Sequence, residues 1–292
     1  MEKIGLVAED VIDMPQELIE KYQISLAKMK FSWPEIENFP GENNFQKMRE
    51  AEKRGERSFG KTSQPSMGDF LEKYKLQLSK FDEVICLAAT SKLSGSFNSA
   101  TQAKRFLKPE EQNRVFVIDS QSVAGGQALL VLKAIDLIND GKSAKDIVKE
   151  LEDFVPQVSL FLILKDPKWV EASGRLSHLA ANLIRGLAKA GIRPIMAIKN
   201  GVLGPAGIRT NAKDIPTALF NQFEHDTEKL QKEGKRFRVV INHGDDLAGA
   251  QRLKEMIEGK FANTKVVFVH ILDNVLGVLA GPDALAISWL QE

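Results

Sequence analysis

Two stretches of this chain carry residue types that could handle a phosphate or a carboxylate. The first, Gly55-Glu56-Arg57-Ser58-Phe59-Gly60-Lys61-Thr62, has the G-x-x-x-x-G-K-T spacing of a phosphate-cradling loop. Val115-Phe116-Val117-Ile118-Asp119 adds an apolar strand ending in the carboxylate that a magnesium site would need. That chemistry requires the loop to follow a strand and to open a helix whose first amides face the phosphates. Here the residues before Gly55 read as helix, which makes Gly55 a helix C-cap, and Pro65 interrupts the helix that should begin. An ATPase using Lys61, Thr62 and Asp119 therefore stands as the alternative reading rather than the leading one.

The second stretch is a set of hydroxyl-rich loops. Thr62-Ser63-Gln64-Pro65-Ser66 precedes a helix, Thr90 to Ser96 follows the strand Val84 to Ala88, and Asp119-Ser120-Gln121-Ser122 follows Val115 to Ile118. In open α/β sheets, ligands bind beyond the carboxyl ends of the strands. Glu9-Asp10, after a first strand Ile4 to Ala8, falls at the same edge. Hydroxyls beside helix-opening amides make a neutral, donor-rich pocket for a carboxylate or phosphate. One such loop could be no more than a helix cap, the reading for Ser66 and for Ser143 with Asp146, but several at one edge point to a ligand. Two arginines extend the set: Arg175 in the turn Ser173 to Ser177, and Arg209 before an expected helix from Asn211.

Other chemistries find no pattern. His178, His225, His243 and His270 have no metal spacing, and Cys86, the one cysteine, lies in an apolar run as an inert thiol. No G-x-S-x-G elbow occurs. No metal and no cofactor other than a bound ligand is expected.

The elements that must position these loops alternate. Short apolar runs (4–8, 24–29, 84–88, 115–118, 158–164, 192–198, 202–203, 237–241, 265–269) are expected as strands. Amphipathic stretches (15–22, 45–54, 66–78, 96–107, 128–139, 143 onward, 179–190, 211–232, 247–258, 283–290) are expected as helices, with 31–44 an irregular loop. This alternation predicts layered α/β architecture with a parallel sheet in the first half. The 292 residues suggest two domains at roughly 150 residues each, expected as 1–155 and 156–292. Hydrophobic residues make up 43% and charged residues 27%, enough for sizeable cores and too balanced for disorder. Forty basic against thirty-nine acidic residues give a net charge of +1, which argues against nucleic-acid binding. No apolar run reaches the roughly 20 residues of a membrane span, and residues 1–10 turn polar too early for a signal peptide. The expectation is a soluble, cytoplasmic monomer.

The chain resembles the DegV family, the fatty-acid-binding subunits of bacterial fatty acid kinase. The resemblance rests on Thr62-Ser63-Gln64-Pro65-Ser66, Leu93 to Ala100 (L-S-G-S-F-N-S-A), Val117-Ile118-Asp119-Ser120, Ser173-Gly174-Arg175-Leu176-Ser177, Arg193-Pro194-Ile195, Arg209-Thr210 and Gly281-Pro282. It implies two α/β domains, the first with a parallel three-layer sheet and the second with a mixed sheet, and a long-chain fatty acid such as palmitate buried between them. The carboxylate would be held by Thr62 and Ser94, with Ser63, Gly95 and Ser96 beside them. Arg175 and Arg209 would mark a phosphate or partner face. The chain would be a carrier, with phosphoryl transfer left to a separate ATP-dependent kinase that feeds phospholipid metabolism.

Two departures qualify that picture. The family pattern has Asp-Ser where this chain has Glu9-Asp10, and His, a small residue, then Gly-Pro-Gly where it has Leu279-Ala280-Gly281-Pro282-Asp283, with Leu279 in place of the His and Asp283 in place of the last Gly. Losing the His removes a donor, so binding is expected to survive more easily than presentation to a kinase. A homologue that acts by protein contact alone is the third reading.

Overall fold

The computed structural model describes residues 3–56, 58–190, 192–209, 212 and 214–292; the side chains of Arg193 and Arg209 are outside this description. Secondary structure follows the expected alternation closely. In chain order the elements are β1 (Ile4–Glu9), α1 (Gln16–Lys21), β2 (Ser25–Ala27), β3 (Lys30–Ser32), α2 (Asn44–Lys53), β4 (Lys61–Ser63), α3 (Met67–Leu78), β5 (Glu83–Ala88), α4 (Ser96–Lys104), α5 (Pro109–Gln112), β6 (Val115–Asp119), α6 (Ala124–Asn139) and α7 (Ala144–Phe154). They continue with β7 (Ser159–Ile163), α8 (Lys168–Ala172), α9 (His178–Lys189), β8 (Arg193–Lys199), β9 (Val202–Arg209), α10 (Ile215–Lys232), β10 (Phe237–His243), α11 (Leu247–Lys260), β11 (Thr264–Ile271), α12 (Asn274–Ala280) and β12 (Leu285–Gln291).

The chain forms two compact units, and both are discontinuous. The first comprises Met1–Lys30, Ser63–Val158 and Asn200–Val202; the second comprises Phe31–Thr62, Ser159–Lys199 and Leu203–Glu292. One of the junctions between them falls at Val158/Ser159. The segment 31–62, however, belongs with the second unit, a placement that no continuous division contains.

The first unit is built on a parallel sheet in the order β2-β1-β5-β6. Its strands are apolar on both faces, as a sheet covered on both sides must be. Val84, Cys86 and Ala88 of β5 pack with Phe70 and Tyr74 of α3 and with Ala100 and Ala103 of α4. The alternate residues Ile85 and Leu87, also fully buried, point to the opposite face, where α6 and α7 pack on β5. The three layers match expectation.

The second unit holds a six-stranded mixed sheet, β11-β10-β12-β7-β8-β9. β10 and β11 are parallel, whereas β12 runs antiparallel to both β10 and β7. Its core joins Phe161, Phe223, Phe237 and Trp289, with Phe161 and Trp289 stacked at 5.0 Å.

Four expectations change here. The helix expected over 283–290 is the central strand β12, with Leu285–Leu290 all buried. A short apolar run covered on both faces shows neither period clearly, and pairing on both edges decides for strand. The loop 31–44 contains β3 and a 3₁₀ turn at Pro34–Asn38. β9 extends to Arg209 rather than ending at Leu203, and α10 opens at Ile215 on an Asp214 cap. Thr210 and Asn211, where that helix was expected to begin, lie outside the described residues.

Candidate functional site

In the first unit, β1 leads to β2 on one side of the sheet and β5 leads to β6 on the other. The crevice between the carboxyl ends of β1 and β5 is therefore the topological switch point, where open α/β sheets bind ligands. Glu9 ends β1 and the 89–95 loop follows β5, so both face this crevice.

The 89–95 loop is held by its own polar groups. Thr90 N donates to Ser122 O at 3.0 Å, and the amides of Leu93 and Ser94 both donate to Thr90 O. Thr90 Oγ1 donates to Gly201 O at 3.0 Å. Asp119 accepts from the amides of Ser91 and Gln121, which ties the loop after β6 to the loop after β5. The Asp119 carboxylate is thus spent on loop geometry.

The loop delivers two hydroxyls to the start of α4. Ser94 Oγ and Ser96 Oγ lie 2.9 Å apart, and Ser96 N donates to Ser94 Oγ at 3.2 Å. Ser94 is half-buried and Ser96 fully buried. Gly95 between them is set by a close approach: a Cβ there would fall 2.8 Å from Gln64 Nε2. Thus Gln64 of the T-S-Q-P-S segment meets the L-S-G-S segment directly. Ser66 is the N-cap of α3 in a full capping box with Asp69, and Ser63 is exposed. Ser143 likewise caps α7 by accepting from Asp146 N.

Beneath these hydroxyls lies Glu9, with no exposed surface. Its carboxyl accepts from Ala89 N at 3.1 Å and from Gln127 Nε2 at 2.8 Å. Among the described residues no cationic side chain pairs with it. Burial holds the Glu9 carboxyl above the usual carboxylate range, although these hydrogen bonds pull the other way. Asp10 takes another part: its carboxylate accepts from Met29 N at 3.0 Å, and Met29 Sδ receives the Ser96 hydroxyl. Burial raises the Asp10 carboxyl as well, opposed by the Met29 amide and by Lys28.

The second unit places Thr62 in β4, paired with β3. Its hydroxyl is buried and, among the described residues, has no hydrogen-bond partner. Buried hydroxyls without partners are uncommon because each costs about 1–3 kcal/mol. Gly60, two residues earlier, is crowded by Phe31, Trp33 and Val278, the last carried by α12. Trp33, Phe59 and Trp169 form an aromatic cluster with centroids 5.4 and 5.8 Å apart, and Trp33 Nε1 donates to Ser58 Oγ.

Lys61 and Thr62 lie in a strand, and α2 ends just before Gly55. That glycine is left-handed at φ +73, with Glu56 N donating to Ala51 O. The phosphate-loop geometry is therefore absent, and the ATPase alternative loses its structural basis.

The remaining sequence candidates divide. Leu279 is buried in α12. Asp283 is left-handed at φ +61, and its carboxylate pairs with Arg49 and Lys165, while Arg49 also pairs with Asp245. Burial would raise the Asp283 carboxyl, but the bonds from Lys165 and Arg49 outweigh it and hold the group low. Arg175 is half-buried in the turn between α8 and α9, and burial lowers its guanidinium. Arg209 ends β9, with its side chain outside the description.

The sequence reading missed Gln127, the Ala89 amide, Arg49 and Asp245. Only Gln127 left a signal, as a lone amide within the apolar run Ala124 to Leu132.

Comparisons with known proteins agree with this architecture. The profile of the DegV family, described as uncharacterised DegV-family proteins, matches residues 3–292. A Thermotoga maritima protein named fatty acid-binding protein is 28% identical, with 94% of this chain and 96% of that one covered. The crystal structure of DegV from Bacillus subtilis, described as a fatty acid binding protein, superposes with a TM-score of 0.79 at 25% identity over the whole of both chains. A DegV-family protein from Thermus thermophilus, described for its fatty acid binding, gives 0.82 at 24% identity over 99% of this chain and 100% of that one.

Proposed function

The chain belongs to the DegV family, and we propose that it is a non-enzymatic carrier of a long-chain fatty acid, with Thr62 and Ser94 as the hydroxyl donors to the carboxylate. The observation that carries this reading is the buried Thr62 hydroxyl, which lacks a partner within the described chain. A carboxylate oxygen would satisfy it. Ser63, Gly95 and Ser96 flank the donors, and the aromatic cluster of Trp33, Phe59 and Trp169 offers apolar surface near Gly60. Hydroxyls and amides can hold a buried carboxylate without a permanent ion pair. The acyl chain supplies the affinity, at about 0.8 kcal/mol per buried methylene.

The carrier either stores its lipid or presents it to a separate ATP-dependent kinase. Arg175 and Arg209 are proposed for the phosphate or partner face. With Leu279 and Asp283 at the positions that differ from the family pattern, storage is expected to be better preserved than presentation.

Organic extraction of the purified protein followed by mass spectrometry should yield a long-chain fatty acid at near-stoichiometric amount. Clean extracts, together with delipidated protein that ignores labelled palmitate, would sink the reading. Thr62→Ala and Ser94→Ala should each weaken palmitate binding by about 1.5–3 kcal/mol, the value of a hydrogen bond to a charged group. Unchanged affinity in both would move the head group elsewhere.

A further inference from the structure

Among the hydroxyls of these loops, Thr90 is the one that fatty-acid binding leaves unexplained. It is fully buried, and each of its polar atoms is already engaged. Its amide donates to Ser122 O, and its carbonyl accepts from the amides of Leu93 at 3.2 Å and Ser94 at 3.1 Å. Its hydroxyl donates to Gly201 O at 3.0 Å and accepts from Lys92 N at 3.3 Å. The single hydrogen of that hydroxyl is committed, so Thr90 has no donor left for a ligand carboxylate.

What Thr90 holds instead is the path of the chain to Ser94. Its carbonyl closes one turn on Ser94 N, and the next peptide is fixed by Ser91 N donating to the Asp119 carboxylate at 3.2 Å. The backbone from 90 to 94 is thereby set at both ends, and with it the point from which the Ser94 side chain starts. The Ser94 hydroxyl adds its own link to Ser96 Oγ, 2.9 Å away. The freedom that remains at Thr90 is its side chain, and that is tied to position 201.

Position 201 is built to receive it. Asn200 and Gly201 form the two-residue connection between β8 and β9, left-handed at both residues with φ +50 and +80. This is the pattern of a type I′ turn, for which Asn-Gly is a favoured sequence. Such tips ordinarily sit in solvent. Here Gly201 is buried, and residues 200–202 count with the first unit although β8 and β9 belong to the sheet of the second. A Cβ at 201 would fall 2.4 Å from Thr90 Oγ1 and 3.2 Å from Lys92 Cγ. Glycine is required twice, by the positive φ and by the approach of the Thr90 hydroxyl.

We propose that Thr90 is a positioning residue for Ser94 and that the Asn200-Gly201 turn is its anchor, so that the hold on a ligand carboxylate depends on a carbonyl 111 residues away in the chain. The inference rests on the fatty-acid reading above. Without the Thr90 hydroxyl, Gly201 O loses its donor and Lys92 N its acceptor in a buried setting, and the loop must shift to satisfy them. Lys92 lies between Thr90 and Ser94, so that shift reaches Ser94. Hydrogen bonds weaken steeply with distance and angle, so a small displacement there is read as lost affinity.

The test is titration of palmitate into delipidated wild-type protein, Thr90→Val, Thr90→Ser and Gly201→Ala, each variant alone and combined with Ser94→Ala. Thr90→Val keeps the branched shape and removes the hydroxyl, and should weaken binding about tenfold, most of what one hydrogen bond to a charged group supplies. Gly201→Ala should do the same from the other side of the contact. Thr90→Ser restores the hydroxyl and should stay within about threefold of wild type. Combined with Ser94→Ala, neither Thr90→Val nor Gly201→Ala should weaken binding further, because both act through that serine. A loss of the same size with and without Ser94 overturns the proposal, as does wild-type affinity in Thr90→Val. Should these two variants fail to fold, amide exchange of wild-type protein decides. Palmitate should slow exchange at both 90–96 and 200–202, and slowing confined to 90–96 overturns the anchor. Each of these results leaves palmitate binding by wild-type protein intact; if wild-type protein binds none, the fatty-acid reading has failed and this one with it.

Discussion

Glu9 in the first unit and Asp283 in the second are two carboxyl groups managed in opposite ways. Glu9 is wholly buried among neutral donors, and the cost of desolvation holds it toward the protonated form. Asp283 keeps about a quarter of its side chain exposed and meets two cations, Arg49 and Lys165, which hold it ionised. The difference separates two uses of one chemical group. A carboxyl paired with cations fixes backbone, here the left-handed turn at 283, and changes little near neutrality. A carboxyl surrounded by neutral donors stays within reach of a proton.

The largest expected effect comes from removing the neutral arrangement. Glu9→Ala strips Ala89 N and one hydrogen of Gln127 Nε2 of their acceptor inside the core, which should cost about 2–4 kcal/mol in chemical denaturation. A loss below about 0.5 kcal/mol would mean that water replaces the carboxyl and that the site is wetter than its burial implies. Arg49→Ala should cost less, about 1–2 kcal/mol, because the network is partly solvated and Lys165 remains to Asp283. That loss should shrink with added salt, whereas the loss in Glu9→Ala should not.

The two groups also differ in how stability follows pH. Glu9 is raised in the folded state, so above the unfolded value near 4.5 the native protein holds a proton that the unfolded chain has released. Its contribution is present below that value and is lost as pH rises through the folded one. Asp283 is lowered, so its contribution is present above the unfolded value near 3.8 and is lost as pH falls through the folded one. Glu9→Gln should therefore gain on wild type as pH rises from 5 to 9. Arg49→Ala should approach wild type as pH falls below 4. Parallel unfolding profiles for all three proteins would erase the distinction.

Much of this was legible in the residues. The hydroxyl loops declared themselves because Ser and Thr cluster directly after apolar runs, and the false phosphate loop was exposed by the helix preceding Gly55. Glu9 was legible as a residue at the carboxyl end of the first strand, but its complete burial was not. Its burial depends on Ala89, 80 residues on, and Gln127, 118 residues on. The strand β12 was hidden for a related reason: its partners β10 and β7 are set by tertiary pairing, not by local period. Arg49 was likewise silent, one arginine on a helix until the fold brings residues 245 and 283 to it, 196 and 234 positions away.

The finest test of the comparison separates charge from backbone at position 283. The residue is left-handed, a conformation that costs a non-glycine residue about 1 kcal/mol. Its amide donates to Gly244 O at 2.7 Å, a bond that survives any substitution but proline. Asp283→Ala removes both ion pairs and keeps the unfavourable backbone, so it should lose about 1–2 kcal/mol. Asp283→Gly removes the same ion pairs but relieves the backbone, and should fall within about 0.5 kcal/mol of wild type. The gap between the two variants measures what the cations offset in holding an aspartate at this turn. If alanine and glycine are equally destabilised, the ion pairs alone account for Asp283 and the left-handed backbone is held by its surroundings. If glycine is clearly more stable than wild type, the pairs with Arg49 and Lys165 only partly offset the strain, and Asp283 is present for a purpose other than stability.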